Sequence, residues 1–381
     1  MIYADNAATT QLDPEALAAM MPFLQNEYGN ASQPYSFARP VKKALAAARK
    51  EIADCIGAQP EEIFFTSGGT ESDNWAIKGT LRYDDNRAIV TSQIEHHAIL
   101  NACAAVERLG YPVAYLPVDG EGLVSPRVLK EGISNNTKLV SIMTVNNEIG
   151  TIEPIRQLAE IAREHGALFH TDAVQAIGHI PMQVNDLGID MMSASAHKFN
   201  GPKGVGFLYI KKGTILQPYA SGGAQEFGMR AGTENVAYIV AMARALHKNC
   251  TLLNETASRL NKMEDIFLQT LKHAGIEFLR NGAPSHAPGI LNISIKNADG
   301  EILLHRLDLK GICISTGSAC DSVTTQISHV IRAIAVPPEF AQGTIRVSFG
   351  RDNKENDARE IANAIVAICG TIDCIATSKK F

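Results

Sequence analysis

Residues 138–172 read KLVSIMTVNNEIGTIEPIRQLAEIAREHGALFHTD. The two ends, KLVSIMT and ALFHTD, are short runs rich in apolar and β-branched residues and read as strands. Between them, Pro154 to His165 sets Ile155, Leu158, Ile161 and Ala162 on one face at helical spacing. Two strands separated by a helix-length crossover make the unit from which parallel sheets are built.

The alternation continues outward in both directions. IFFT (63–66), RAIVTS (87–92) and GVGFLYI (204–210) have the same strand character, so the spacing predicts an α/β fold with a mainly parallel sheet flanked by helices. Asp13 and Pro14 supply an N-cap and a first-turn residue for a helix over Asp13 to Leu24. The alanine-rich stretch 41–57, VKKALAAARKEIADCIG, reads as a helix stopped by Gly57. From Ala237 to His273 the pattern is helical over a length that bridges two units, with a boundary near 250. Beyond it, strands at Ile290 to Ile295 and Thr344 to Phe349 and helices at Gly300 to Leu309 and Asp352 to Cys369 suit a small α+β domain. The expected division is a large domain over 15–250 and a small one over 1–14 and 251–381.

Bulk properties exclude several classes. Of 381 residues, 45% are hydrophobic and 20% charged, with a formal net charge of -5, a balance that gives no basic surface for gripping nucleic acid. No apolar run approaches the roughly 18 residues needed to cross a bilayer, and MIYADNAATT lacks the order of a secretion signal, so a cytoplasmic protein without membrane contact is expected. Seven cysteines, at 55, 103, 250, 313, 320, 369 and 374, include no CxxC pair and no cluster at metal-binding spacing. Neither a disulfide framework nor a metal is expected, which leaves room for a reactive thiol.

In open parallel sheets, ligands collect at the carboxyl ends of the strands. After IFFT, the small-residue turn SGGTES enters a helix whose first N–H groups suit an anion, with Gly69 and Thr70 placed to hold a phosphate. Asp172, at the end of ALFHTD, suits either a cap for the next helix or a partner for a protonated pyridine nitrogen, and Gln175 follows three residues on. In SASAHKFNGPKGVGFLYI, Lys198 is a candidate Schiff-base lysine, with Lys203 its rival, and Ser195 and His197 suit phosphate. His96 and His97 stand after RAIVTS, where an imidazole can lie on an aromatic cofactor and exchange protons. Cys320, among small polar residues in ICISTGSACDS, reads as an exposed thiol, whereas Cys313 between two isoleucines reads as core. Arg346, alternating with apolar residues in GTIRVSFG, calls for an anionic partner, which a substrate carboxylate would supply. A nicotinamide-binding GxGxxG after the first strand is absent.

Taken together, YADNAATT, SGGTESDN, the Glu95–His96 pair, VNNEIG, HTDAVQAIG, SAHKFNGPKG, RAGTEN, STGSAC and IRVSFGR, spread from residue 3 to 351, resemble the NifS/IscS-like cysteine desulfurases of the class V aminotransferase group. The resemblance implies the type I fold of pyridoxal-phosphate enzymes, working as a homodimer. It implies that Lys198 holds pyridoxal 5'-phosphate, Asp172 meets its ring nitrogen, Gln175 and Asn147 contact its oxygen side, and His96 stacks on it. Gly69, Thr70, Ser195 and His197 match phosphate ligands, with Thr233 contributed from the other subunit. Arg346, with Asn147, matches the substrate site for L-cysteine, and Cys320 matches the sulfur acceptor, on a loop carried by the small domain.

The SGSAC form resembles the long-loop class, which implies direct sulfur transfer to an acceptor protein serving iron-sulfur cluster assembly, tRNA thiolation or DNA phosphorothioation. The chain departs from the pattern at Tyr35, Ala38, Ala224 and Phe227. Selenocysteine lyase or another β-eliminating enzyme is the same-cofactor alternative, distinguished by a dispensable Cys320. A non-catalytic scaffold subunit is the other alternative, distinguished by a colourless protein that takes up no cofactor.

Overall fold

The strand runs fold as strands in the computed structural model, which describes residues 1–82, 86–316 and 327–378. In chain order they are β1 (Ile2–Tyr3), β2 (Ile63–Thr66), β3 (Ala88–Ser92), β4 (Val113–Leu116), β5 (Thr137–Ser141) and β6 (Leu168–Asp172). Then follow β7 (Met191–Ser195), β8 (Gly206–Ile210), β9 (Phe278–Asn281), β10 (Ile290–Ile295), β11 (Ile312–Cys313) and β12 (Thr344–Ser348). The helices are α1 (Pro14–Gln25), α2 (Arg39–Ile56), α3 (Gly69–Gly79), α4 (His97–Glu107), α5 (Pro126–Gly132), α6 (Ile155–Glu164) and α7 (Val184–Leu187). They continue with α8 (Val236–Thr251), α9 (Leu253–His273), α10 (Gly300–Asp308), α11 (His329–Ala333), α12 (Pro338–Ala341) and α13 (Glu355–Ser378).

Seven strands form one sheet in the order β2-β8-β7-β6-β5-β3-β4. The α/β reading is borne out, with parallel pairing from β4 across to β7. One strand departs from it: β8 runs antiparallel to both β7 and β2. The connection from Ser195 to Gly206 holds only a short 3-10 turn, too little chain for a helical crossover, so it returns as a hairpin.

Both sheet faces are buried, and alternate residues of each strand serve opposite faces. Phe65, Val90, Val140, Phe169, Met192 and Tyr209 join Ile52, Leu158, Met242 and Leu246 of α2, α6 and α8. Phe64, Ile89, Leu139, Met191 and Leu208 join Trp75, Ile99 and Val106 of α3 and α4. A second core unites Leu260, Met263 and Phe267 with Leu291, Ile293, Ile345, Val347 and Ile361, and takes in Ala4 from the N-terminus. Its antiparallel strands are ordered β12-β10-β9, with β1 and β11 paired beside them.

Local signals explain the ends of elements. The Asp13 carboxylate accepts from the N–H groups of Glu15 and Ala16, and Pro14 opens α1. Gly57 closes α2 at φ 70°, a left-handed conformation that glycine adopts without a Cβ penalty. The helical run expected from Ala237 to His273 is interrupted at Leu252, where α8 hands over to α9. Among the described residues, no helix is long and apolar enough to cross a membrane.

Candidate active site

A pocket with an open volume of about 240 Å³ lies where the carboxyl ends of β3, β5, β6 and β7 meet the start of α3 and the inner side of β12. Gly69, Thr70, His96, Asn147, Asp172, Gln175, Ser195, His197, Lys198 and Arg346 all line it. Ten site residues spread over nearly 280 positions of sequence are therefore brought to one cavity.

Lys198 sits in the short turn after β7, a position that the hairpin to β8 fixes. Its amine donates to the carbonyls of Ala7 (2.6 Å) and Ala8 (2.8 Å), so the N-terminal segment walls the pocket directly beside it. Lys203, the rival, is exposed and does not line the pocket.

Asp172 ends β6 and is 5% exposed. Burial raises its carboxyl to about 6, against the lowering influence of the Val174 N–H, 2.9 Å away, and of the Lys198 charge. The bond to Val174 closes a turn and not a helix, since no helix starts between it and α7, and the carboxyl lines the pocket. Gln175 donates to the carbonyl of Ala7 at 2.8 Å.

His96 is the N-cap of α4, and its Nδ1 accepts from the Ala98 N–H at 3.1 Å, which puts its proton on Nε2. Burial, the Lys198 charge and His97 lower it to about 4, so the ring is neutral at physiological pH. His97 turns away, its ring 4.9 Å from that of His329. His197 is also lowered to about 4, chiefly by burial, and its Nδ1 pairs with Thr9 Oγ1 at 3.1 Å.

The start of α3 leaves its first N–H groups without intrahelical partners, aimed at an anion. Gly69 is required there because an added Cβ would stand 2.7 Å from Val174 Cγ2. Across the pocket, Arg346 is 4% exposed. It donates to the carbonyl of Asn147 (2.8 Å) and the carboxylate of Asp5 (2.8 Å), while its Nε has no hydrogen-bond partner among the described residues.

Four residues with no role assigned from sequence complete the surroundings. Asp73, 1% exposed, lines the pocket with Oδ1 making no hydrogen bond among the described residues, and burial together with the Asp172 charge raises its carboxyl well above the usual range. Behind it, His170 bridges Ser141 Oγ (2.8 Å) and Ser193 Oγ (3.0 Å), and burial lowers it to about 3. Glu95 is fully buried, accepting from Ser92 Oγ at 2.6 Å and from the Met143 N–H at 3.1 Å. Asp5 is the fourth, through Arg346. Their placement inside SGGTESDN, HTDAVQ, the Glu95–His96 pair and YADNAATT was the available signal.

One expected site residue among the described ones is not gathered. Thr233 is exposed and does not line this pocket. Cys320 lies in 317–326, outside the described residues. Cys313, expected in the core, is half-buried. The flanks of 317–326 both reach the site: Ser315 exchanges two backbone hydrogen bonds with Arg346, and His329 Nε2 donates to the Glu95 carbonyl at 3.0 Å.

The pocket therefore offers an amine, a buried carboxyl, a neutral imidazole and an anion cradle, which together match the functional groups of pyridoxal phosphate. The sequence profile of the class-V aminotransferases matches residues 2–361. Cysteine desulfurase IscS of Dictyoglomus turgidum is 45% identical over 382 residues, covering 100% of this chain and 97% of the relative. Among solved structures, a NifS-like protein superposes with a TM-score of 0.91 at 36% identity, covering 97% of this chain and 99% of the other. The structure of SspA in complex with cysteine superposes at 0.82 with 34% identity, covering 92% and 99%. These matches extend over all three sheets and the pocket, so the chain belongs to the class-V aminotransferase family and, within it, to the cysteine desulfurases.

Proposed function

We propose that this enzyme binds pyridoxal phosphate on Lys198, takes sulfur from L-cysteine onto Cys320 and releases L-alanine. The observation that carries the reading is the Lys198 amine in one cavity with Asp172, His96 and the start of α3. Bound there, the cofactor supplies an electron sink for charge developing next to the substrate amine. The Asp172 carboxylate suits its ring nitrogen, and Gly69, Thr70, Ser195 and His197 suit its phosphate. Gln175 and Asn147 suit its oxygen side, and Asn147 also borders the substrate.

Lys198 is the group placed to move the substrate α-proton, with the neutral His96 ring in the same pocket and available to accept one. Arg346, whose Nε has no hydrogen-bond partner among the described residues, holds the substrate carboxylate. The Cys320 thiolate then attacks the substrate sulfur. An S–S bond forms, the C–S bond breaks, and its electron pair goes with the carbon, which is protonated to give alanine.

Two neighbouring carboxyls are assigned different work. Asp172 acts as an anion, whereas Asp73 stays protonated and fills its place as a neutral hydrogen-bonding group. Asp73→Asn, which copies the neutral form, is expected to keep turnover within about threefold at neutral pH, while Asp172→Asn costs at least about 10²-fold. Equal losses in the two variants, measured as alanine release, would contradict the assignment.

Arg346→Lys keeps the charge but loses the fork, and the missing charge-assisted bond is worth about 2 kcal/mol. KM for L-cysteine is therefore expected to rise about 30-fold with kcat changed less than about fivefold. A fall in kcat at unchanged KM would remove Arg346 from substrate binding.

The reading extends to a cytoplasmic homodimer in which the exposed Thr233 serves the phosphate site of a second copy. Residues 15–250 would act as one unit, and 1–14 with 251–381 as the other, carrying Cys320 toward an acceptor protein. Iron-sulfur cluster assembly is the destination the IscS relatives favour, and a pull-down of the persulfidated enzyme against candidate acceptors tests it.

A further inference from the structure

Away from the pocket, two further thiols meet. Cys55 is the next-to-last residue of α2 and Cys250 the next-to-last residue of α8, and these helices pack against each other through the main core. The two thiols are near enough to shift one another's acidity. Both are half-buried, and both line a second cavity of about 220 Å³ walled by Ile56, Ile177, Pro181, Met182 and Leu253. None of the catalytic steps uses either of them.

We propose that Cys55 and Cys250 form a reversible dithiol–disulfide site that reacts with a small hydroperoxide entering through this cavity. The geometry supplies what the chemistry needs: two neighbouring thiols, each near the end of one of two packed helices, lining one cavity. The Cys55 thiol is raised by its neighbour Cys250, by burial and by the charges of Glu51 and Asp54, while Cys55 lowers Cys250. Cys250 is assigned the first attack, and the cross-link that results is the same whichever thiol reacts first.

Its thiolate attacks the terminal peroxide oxygen, the O–O bond breaks, and the other oxygen leaves as an alcohol or water after protonation. Cys250 becomes a sulfenic acid. The Cys55 sulfur then attacks the Cys250 sulfur, the S–O bond breaks and a second water leaves. In sum, two thiols and one hydroperoxide give one disulfide, one alcohol and one water, with two electrons passing from sulfur to oxygen.

The location gives the bond consequences for the fold. Cys250 stands two residues before Leu252, the junction of α8 and α9. Its neighbour Asn249 donates to the Phe199 carbonyl at 2.6 Å, beside Lys198. A Cys55–Cys250 bond would pin the end of α8 at the point where the chain passes from the first core to the second.

The test is thiol counting and peptide mass mapping on the folded holoenzyme, in a Cys320→Ala background that silences the catalytic thiol. One equivalent of hydrogen peroxide is expected to remove two titratable thiols per chain, yield one cross-linked peptide pair joining Cys55 to Cys250, and be reversed by dithiothreitol. Cys55→Ser and Cys250→Ser should each abolish the cross-link, and Cys103→Ser should leave it intact. Unchanged thiols, sulfinic acid on either residue without a cross-link, or pairing of either with another cysteine would each overturn the proposal.

Discussion

Lys198→Ala is expected to lower L-cysteine turnover by at least about 10³-fold and to abolish cofactor fixation by borohydride. The magnitude follows from losing one amine with two tasks, covalent attachment and proton transfer, each of which contributes orders of magnitude. Lys198 lines the pocket, with its amine on the carbonyls of Ala7 and Ala8, while Lys203 is exposed on the following turn. Lys203→Ala should therefore stay within about twofold of the parent. Mass mapping after reduction decides the matter: the label belongs on Lys198, and finding it on another lysine, or on none, would remove the central amine from this mechanism. Weak non-covalent cofactor binding should survive in Lys198→Ala, because Asp172 and the start of α3 remain.

The strands of the large sheet were legible because their alternate residues feed two buried faces, and short, nearly continuous apolar runs such as IFFT and KLVSIMT carry that signal directly. The reversed direction of β8 was not, since strand propensity is blind to direction. Only the shortness of the connection after Ser195 hinted at it. Asp172, His96 and Lys198 were legible because they follow strands, where an α/β sheet gathers ligands. Asp5 was not, because its reason for being there is Arg346, 341 residues away in sequence. Asp73 was hidden for another cause. A carboxyl in the second turn of a helix normally faces water, and only the fold shows that α3 turns it inward, against Asp172.

Cys320→Ala is expected to keep the cofactor yet release L-alanine from L-cysteine at least about 10³-fold more slowly, since no other soft nucleophile is assigned to take the sulfur. The segment that bears Cys320 starts at a fixed point: Ser315 is hydrogen-bonded both ways to the backbone of Arg346, whose side chain is assigned the substrate carboxylate. On the far side, His329 ties the chain back to Glu95, beside His96. Both anchors stand at the pocket, which is why the thiol between them in sequence, and not the half-buried Cys313, is assigned the sulfur. Mass spectrometry after brief exposure to L-cysteine should find one additional sulfur atom on the Cys320 peptide of the parent enzyme and none in the variant. Alanine released at the parent rate by Cys320→Ala would instead mean that sulfur leaves without protein help, the behaviour of a lyase.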